Sequence, residues 1–187
     1  LFIFTSLMYI ITMSQRNPPQ EQIDYVLNLF KSDQIQQALD FIDTLSKDYP
    51  DESLLFNIRG ACYAGLGQLD IAVQSYEKAL SIKPDYAKAH YNLGGALQEL
   101  DKLHDSAKSY ENAIALEPEN AQAHNNLAIV LRELDQLEEA EASCRKAIVL
   151  DPEYAEAYSS LSIILYANGD LNSALESIEK AYSINPK

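Results

Sequence analysis

Small and apolar positions recur along this chain in two nested registers. Ala38, Ala72, Ser106, Ala140 and Ala174 share one register, and Leu45, Ala79, Ala113, Ala147 and Ala181 share another, seven residues further on. Positions seven apart lie on one face of an α-helix, and small side chains there let a neighbouring helix come close. A third small register, Gly60, Gly94, Ala128 and Ser162, falls in the preceding stretch, followed by large residues at Tyr63, Leu97, Leu131 and Leu165. The pattern predicts a pair of helices of about 13 and about 15 residues that meet at their small positions. Between the two come Leu66-Gly67, Leu100-Asp101, Leu134-Asp135 and Asn168-Gly169, with Asp33 in the same place further upstream. Gly or Asp there predicts a helix that stops in the left-handed conformation, so each pair is a helical hairpin.

The hairpin repeats. Pro50, Pro84, Pro118, Pro152 and Pro186 stand 34 residues apart, and self-similarity at one fixed period marks a repeat solenoid. Four clear units occupy residues 53–86, 87–120, 121–154 and 155–187. Residues 19–52 form a degenerate unit that keeps Ala38 and Pro50 but carries Val26, Gln22 and Leu45 where later units have other residue types. Terminal repeats are often atypical, because one face has no neighbour to match. That unit is therefore expected to be an N-terminal capping repeat of one array over residues 19–187. Asp51, Asp85, Glu119 and Glu153 beside the prolines place negative charge at helix starts, where it complements the helix dipole.

An aromatic slot (Phe56, His90, His124, Tyr158), Leu93-Gly94, the large residue, Ala, a second aromatic (Tyr76, Tyr110), Ala and Pro together resemble the tetratricopeptide repeat over about residues 19–187. The closest pattern is that of the superhelical repeats of O-linked N-acetylglucosamine transferases and of bacterial tetratricopeptide proteins. The resemblance implies an all-α, right-handed solenoid of antiparallel helical hairpins. It also implies a non-catalytic interaction scaffold that binds an extended peptide or a partner helix in its concave groove. The first helices line that groove in this family. There Asn92 and Asn126 share a slot, preceded by Tyr91 and Asn125, and the slot holds Asp24, Ile58 and Ser160 in other units. An amide side chain offers donors and an acceptor to a peptide unit. The implied peptide-binding set is Asn57, Lys88, Tyr91, Asn92, Asn125, Asn126, Arg132 and Ser160. Asn92 and Asn126 are expected to serve ligand binding rather than folding. A family clamp for a C-terminal carboxylate is disfavoured, because its slots carry Asn57, Tyr91, Ala61 and Gly95. The alternative reading is the N-terminal recognition arm of a larger enzyme, a glycosyl-, sulfo- or methyltransferase or an oxygenase, with its catalytic domain beyond residue 187.

Charge narrows the partners. The chain carries 14 Lys plus Arg against 28 Asp plus Glu, a formal net charge of −14. Phosphate backbones and anionic lipid surfaces repel such a chain, so protein or peptide partners are expected, without nucleic acid. No catalytic residue, cofactor or metal site is predicted. His90 and His124 lie one repeat apart, and no Gly-rich phosphate loop, HExxH or CxxC motif occurs. Cys62 and Cys144 sit in non-adjacent repeats, in slots filled elsewhere by Ala, Val, Tyr or Ile, and read as small buried thiols.

Residues 1–13, LFIFTSLMYIITM, are apolar and uncharged. They are shorter than the roughly 20 residues a membrane-spanning helix needs, and they lack the flanks of a secretory signal. Three readings stay open for residues 1–12: a leader outside the mature fold, the remnant of a signal or anchor, or an apolar helix over the first repeat. Residues 1–18 are accordingly set apart as leader and linker. The expected location is cytoplasmic, or exported or membrane-anchored if the segment is a signal. At the other end, Ile178, Ala181, Tyr182 and Ile184 are expected to keep partly exposed apolar surface, which would permit self-association.

Overall fold

A computed structural model describes residues 17–186, so the readings of residues 1–12 lie outside the described residues. The described residues form ten α-helices and no strand. They are α1 (Gln20–Lys31), α2 (Ile35–Asp48), α3 (Ser53–Gly65), α4 (Leu69–Ile82), α5 (Ala87–Glu99), α6 (Leu103–Leu116), α7 (Ala121–Glu133), α8 (Leu137–Leu150), α9 (Ala155–Ala167) and α10 (Leu171–Ile184). First helices run 12 or 13 residues and second helices 14.

The turn inside every hairpin has one chemistry. Asp33, Gly67, Asp101, Asp135 and Gly169 all have positive φ, at 58°, 70°, 57°, 61° and 85°. The next residue's N–H reaches back to close the helix, as in Gln68 to the Tyr63 carbonyl and Lys102 to the Leu97 carbonyl, both 2.9 Å. These are Schellman closures, which satisfy carbonyls that the helix end would otherwise leave bare. Three helix starts also carry a side-chain cap. The side chains that cap them are Glu52 on the Leu54 N–H, Asn120 on the Ala123 N–H and Asp170 on the Ser173 N–H. The acidic residues beside the prolines contribute charge at these ends but make none of these three caps.

The described residues divide into two compact units, one ending at Pro84 and the other beginning at Asp85. In the first, α2 packs on α1 and on α3, and α3 on α4. Val26, Ala38, Ile42, Leu55 and Cys62 are fully buried there. Each large aliphatic side chain taken from water contributes about 1.5–3 kcal/mol. Arg59 of α3 stands in the register that holds Leu93, Leu127 and Leu161 later, and its Nη2 lies 3.6 Å from Asp43 Oδ1 on α2.

In the second unit three hairpins follow one another, with α7 packed on α6 and α9 on α8. The small registers lie at the helix crossings, as expected. Ser106, Ala113, Ala140 and Ala147 are at most 1% exposed. Ser106 Oγ donates to the Gly94 carbonyl at 2.7 Å, so this hydroxyl is satisfied within the crossing. Gly94 itself abuts the Tyr110 ring. Cys144 fills the register of Tyr110, opposite Ala128, and its Sγ donates to the Ala157 carbonyl at 3.0 Å. Large and small residues thus exchange between facing registers while the crossing stays filled.

Candidate functional site

The sequence-predicted residues that gather most closely lie on α5 and α7 of the second unit. Asn126 Nδ2 donates to the Tyr91 hydroxyl at 3.1 Å and, at a longer 3.4 Å, to that of Tyr110. The Tyr91 and Tyr110 rings meet edge to face, with centroids 5.7 Å apart. Lys88 Nζ stands 4.6 Å from the Tyr91 ring centroid, within reach of a cation–π attraction. Next to Asn126, Asn125 is buried close to Tyr154, and its Oδ1 has no hydrogen-bond partner. Three phenols and two amides therefore share one corner of the fold.

Tyr110 and Tyr154 are not acid–base groups at neutral pH. Burial pushes the Tyr110 hydroxyl well above its ordinary range, Tyr91 adding to the effect and the Asn126 bond opposing it. Tyr154 is also raised, first by burial and then by its proximity to Tyr91. Burial likewise holds Cys62 at about 11 and Cys144 at about 12, so both are protonated thiols rather than nucleophiles. No grouping of His, Cys, Asp and Glu able to hold a metal ion occurs among the described residues. His124 Nε2 lies 3.1 Å from the Pro118 carbonyl, to which its N–H donates. The chemistry on offer is hydrogen bonding and stacking.

The candidate set separates by exposure. Lys88 is exposed, and Tyr91, Asn92, Asn126, Arg132 and Ser160 are partly exposed. Asn57 and Asn125 are 7% and 3% exposed, so both are buried. Arg132 lies beside Glu133, its Nη2 3.5 Å from Oε1. Ser160 lies on α9, where it lines a depression of about 480 Å³ with Ile163, Ile178 and Tyr182. Asn126, expected to serve ligand binding rather than folding, also bonds two tyrosines of the neighbouring hairpin. Tyr110 and Tyr154, which complete the cluster, were absent from the predicted set. Tyr110 was legible only as a packing aromatic, and Tyr154 stands at a helix start where other repeats place Glu52, Tyr86 or Asn120.

Three family descriptions match in succession: "TPR repeat" over residues 60–101, and "Tetratricopeptide repeat" over residues 91–155 and again over residues 155–187. This chain is a tetratricopeptide-repeat protein. Among curated proteins, the peroxisomal targeting signal receptor of Candida glabrata is 31% identical to the repeat protein over 75 residues, covering 40% of this chain and 13% of the receptor. The chain therefore spans only a small part of that relative's length. Among solved structures, MamA superposes with a TM-score of 0.80 at 22% identity, covering 85% of this chain and 93% of MamA. YrrB, described as a TPR protein with an unusual peptide-binding site, superposes at 0.78 with 20% identity, covering 96% and 92%. At these identities the two structures establish the tetratricopeptide fold of the chain and nothing finer.

Proposed function

We propose that this repeat protein is a non-catalytic binding module that holds an extended peptide or a partner helix against the inner face of its first helices. The arrangement at α5 and α7 carries the reading. Lys88, Tyr91 and Asn92 offer an ammonium, a phenol and an amide at accessible positions, and the Asn126–Tyr91 bond fixes one of them from below. Polar groups held in place before a ligand arrives bind at lower entropic cost than mobile ones. The peroxisomal relative is named a receptor and YrrB is described as having a peptide-binding site, and both lend support by analogy. Ser160 and Arg132 would extend the surface along α9 and α7. The acidic balance of the chain favours protein over nucleic-acid partners. No helix of the described residues is long and apolar enough to cross a membrane.

The test begins with a phage-displayed random peptide library selected against the full chain. The recovered peptide is then titrated calorimetrically into wild type and into the Lys88→Ala/Asn92→Ala double variant, with circular dichroism reporting that both are folded. Affinity should fall by about 1–3 kcal/mol, since each lost contact contributes roughly 0.5–1.5 kcal/mol. Equal affinities would remove this face from the proposal.

A further inference from the structure

A side-chain amide has two N–H donors and one carbonyl acceptor, and in Asn126 the donors are already engaged. Nδ2 faces as many acceptors as it has hydrogens, the Tyr91 hydroxyl at 3.1 Å and the Tyr110 hydroxyl at 3.4 Å. What Asn126 has left to offer is Oδ1, which only accepts.

Tyr91 is left in the opposite state. Its oxygen takes the Asn126 hydrogen bond on a lone pair, so its own O–H hydrogen is turned away from that donor and can be given elsewhere. The ring is held edge to face by Tyr110 and lies 4.6 Å from the Lys88 ammonium, which gives the hydroxyl a fixed place. Tyr91 and Asn126 are both partly exposed, whereas Tyr110 is 1% exposed. The accessible groups are therefore a donor on α5 beside an acceptor on α7.

We infer, resting on the inner-face reading above, that Tyr91 and Asn126 together grip the main chain of an extended peptide, the hydroxyl donating to a ligand carbonyl and Oδ1 accepting from a ligand N–H. Of the two ligand classes, this donor and acceptor suit only the extended one. Inside a helix the main-chain N–H and C=O groups already bond each other four residues apart, and would leave both Tyr91 and Asn126 without a partner. An extended chain presents both groups unspent. The donor to the ligand thus comes from Tyr91 and not from the Asn126 amide, which acts on Tyr91 as a positioning residue while supplying the acceptor.

The probe is the library-selected peptide, made isotope-labelled and also as a series in which one amide at a time becomes an ester, a change that removes an N–H and weakens a carbonyl acceptor. Each is titrated into the full wild-type chain, into Tyr91→Phe and into Lys88→Ala/Asn92→Ala, with urea midpoints reporting that all three are folded. Tyr91→Phe keeps the ring and should weaken the parent peptide about two- to tenfold, the loss of one hydrogen bond. At one position the ester should weaken binding to wild type by a similar factor and leave binding to Tyr91→Phe unchanged, a coupling that a purely structural hydroxyl would not produce. The bound peptide should show the Cα shifts of an extended chain. Three results would overturn the inference and leave the inner-face reading standing: full affinity for Tyr91→Phe while Lys88→Ala/Asn92→Ala is weakened, equal ester losses against wild type and Tyr91→Phe, or helical Cα shifts in the bound peptide. Full affinity for both variants would overturn the inference and that reading together.

Discussion

A Cβ placed on Gly94 would stand 2.9 Å from Cδ1 and Cε1 of Tyr110, closer than carbon atoms in proteins approach. Gly60 and Tyr76 repeat the relationship in the first unit, with the nearest ring carbon at 2.5 Å. Where the helix position enlarges to Ala128 or Ser162, the facing register holds Cys144 or Ile178 instead of tyrosine. The two registers therefore trade volume across one crossing. Gly94→Ala should destabilise the second unit by about 1–3 kcal/mol through overpacking, measured by urea denaturation. Combining it with Tyr110→Leu should give a loss smaller than the sum of the two single effects. Strict additivity would show that the ring yields without resistance.

Asn126→Ala should cost about 1–3 kcal/mol of stability, because it removes the donor that serves Tyr91 and, more weakly, Tyr110. Equilibrium urea unfolding measures this directly. A midpoint and slope equal to those of wild type would return Asn126 to the status of a purely ligand-facing residue.

Asp101→Gly should stabilise the chain by several tenths of a kcal/mol to about 1 kcal/mol, since Asp101 sits at φ 57° at a hairpin turn that glycine enters with less strain. Asp135→Gly, at φ 61°, should act in the same direction. A lowered thermal midpoint for both would mean that the aspartates stabilise these turns through more than their backbone conformation.

His124 introduces a pH dependence with a defined sign. Burial lowers its pKa below the ordinary histidine value, the Pro118 carbonyl bond opposing that effect and nearby Lys146 reinforcing it. The folded chain then binds fewer protons at this site than the unfolded chain, so stability rises with pH through the transition. The full contribution is present above the ordinary histidine pKa of about 6.5 and is lost as pH falls below it toward the lower folded value. The difference in urea midpoint between His124→Phe and wild type should therefore shift in favour of the variant from about pH 7 to about pH 5. A constant difference would contradict the assignment.

Backbone features were legible from single residues. Gly or Asp at one place in every period located all five positive-φ turns, because the left-handed region excludes most other side chains. Small registers announced the helix crossings for the same steric reason. The polar cluster was less legible because it depends on which neighbour arrives. Asn92 and Asn126 occupy one slot in the repeat, yet the tyrosine bonded to Asn126 lies 35 positions earlier, on another hairpin. A pattern read one period at a time assigns both residues the same accessible role. Asn57 and Asn125 fared similarly: a polar side chain on a first helix reads as exposed, while the structure buries both.

On the proposed function, ligands meet the inner face of the first helices. Backbone amide chemical shifts of the isotopically labelled full chain, recorded while the library-selected peptide is added, test it most directly. The largest shifts should fall on α5, α7 and α9, at Lys88, Tyr91, Asn92 and Ser160. Shifts confined to the second helices α6 and α8, with those four residues unchanged at saturation, would contradict it.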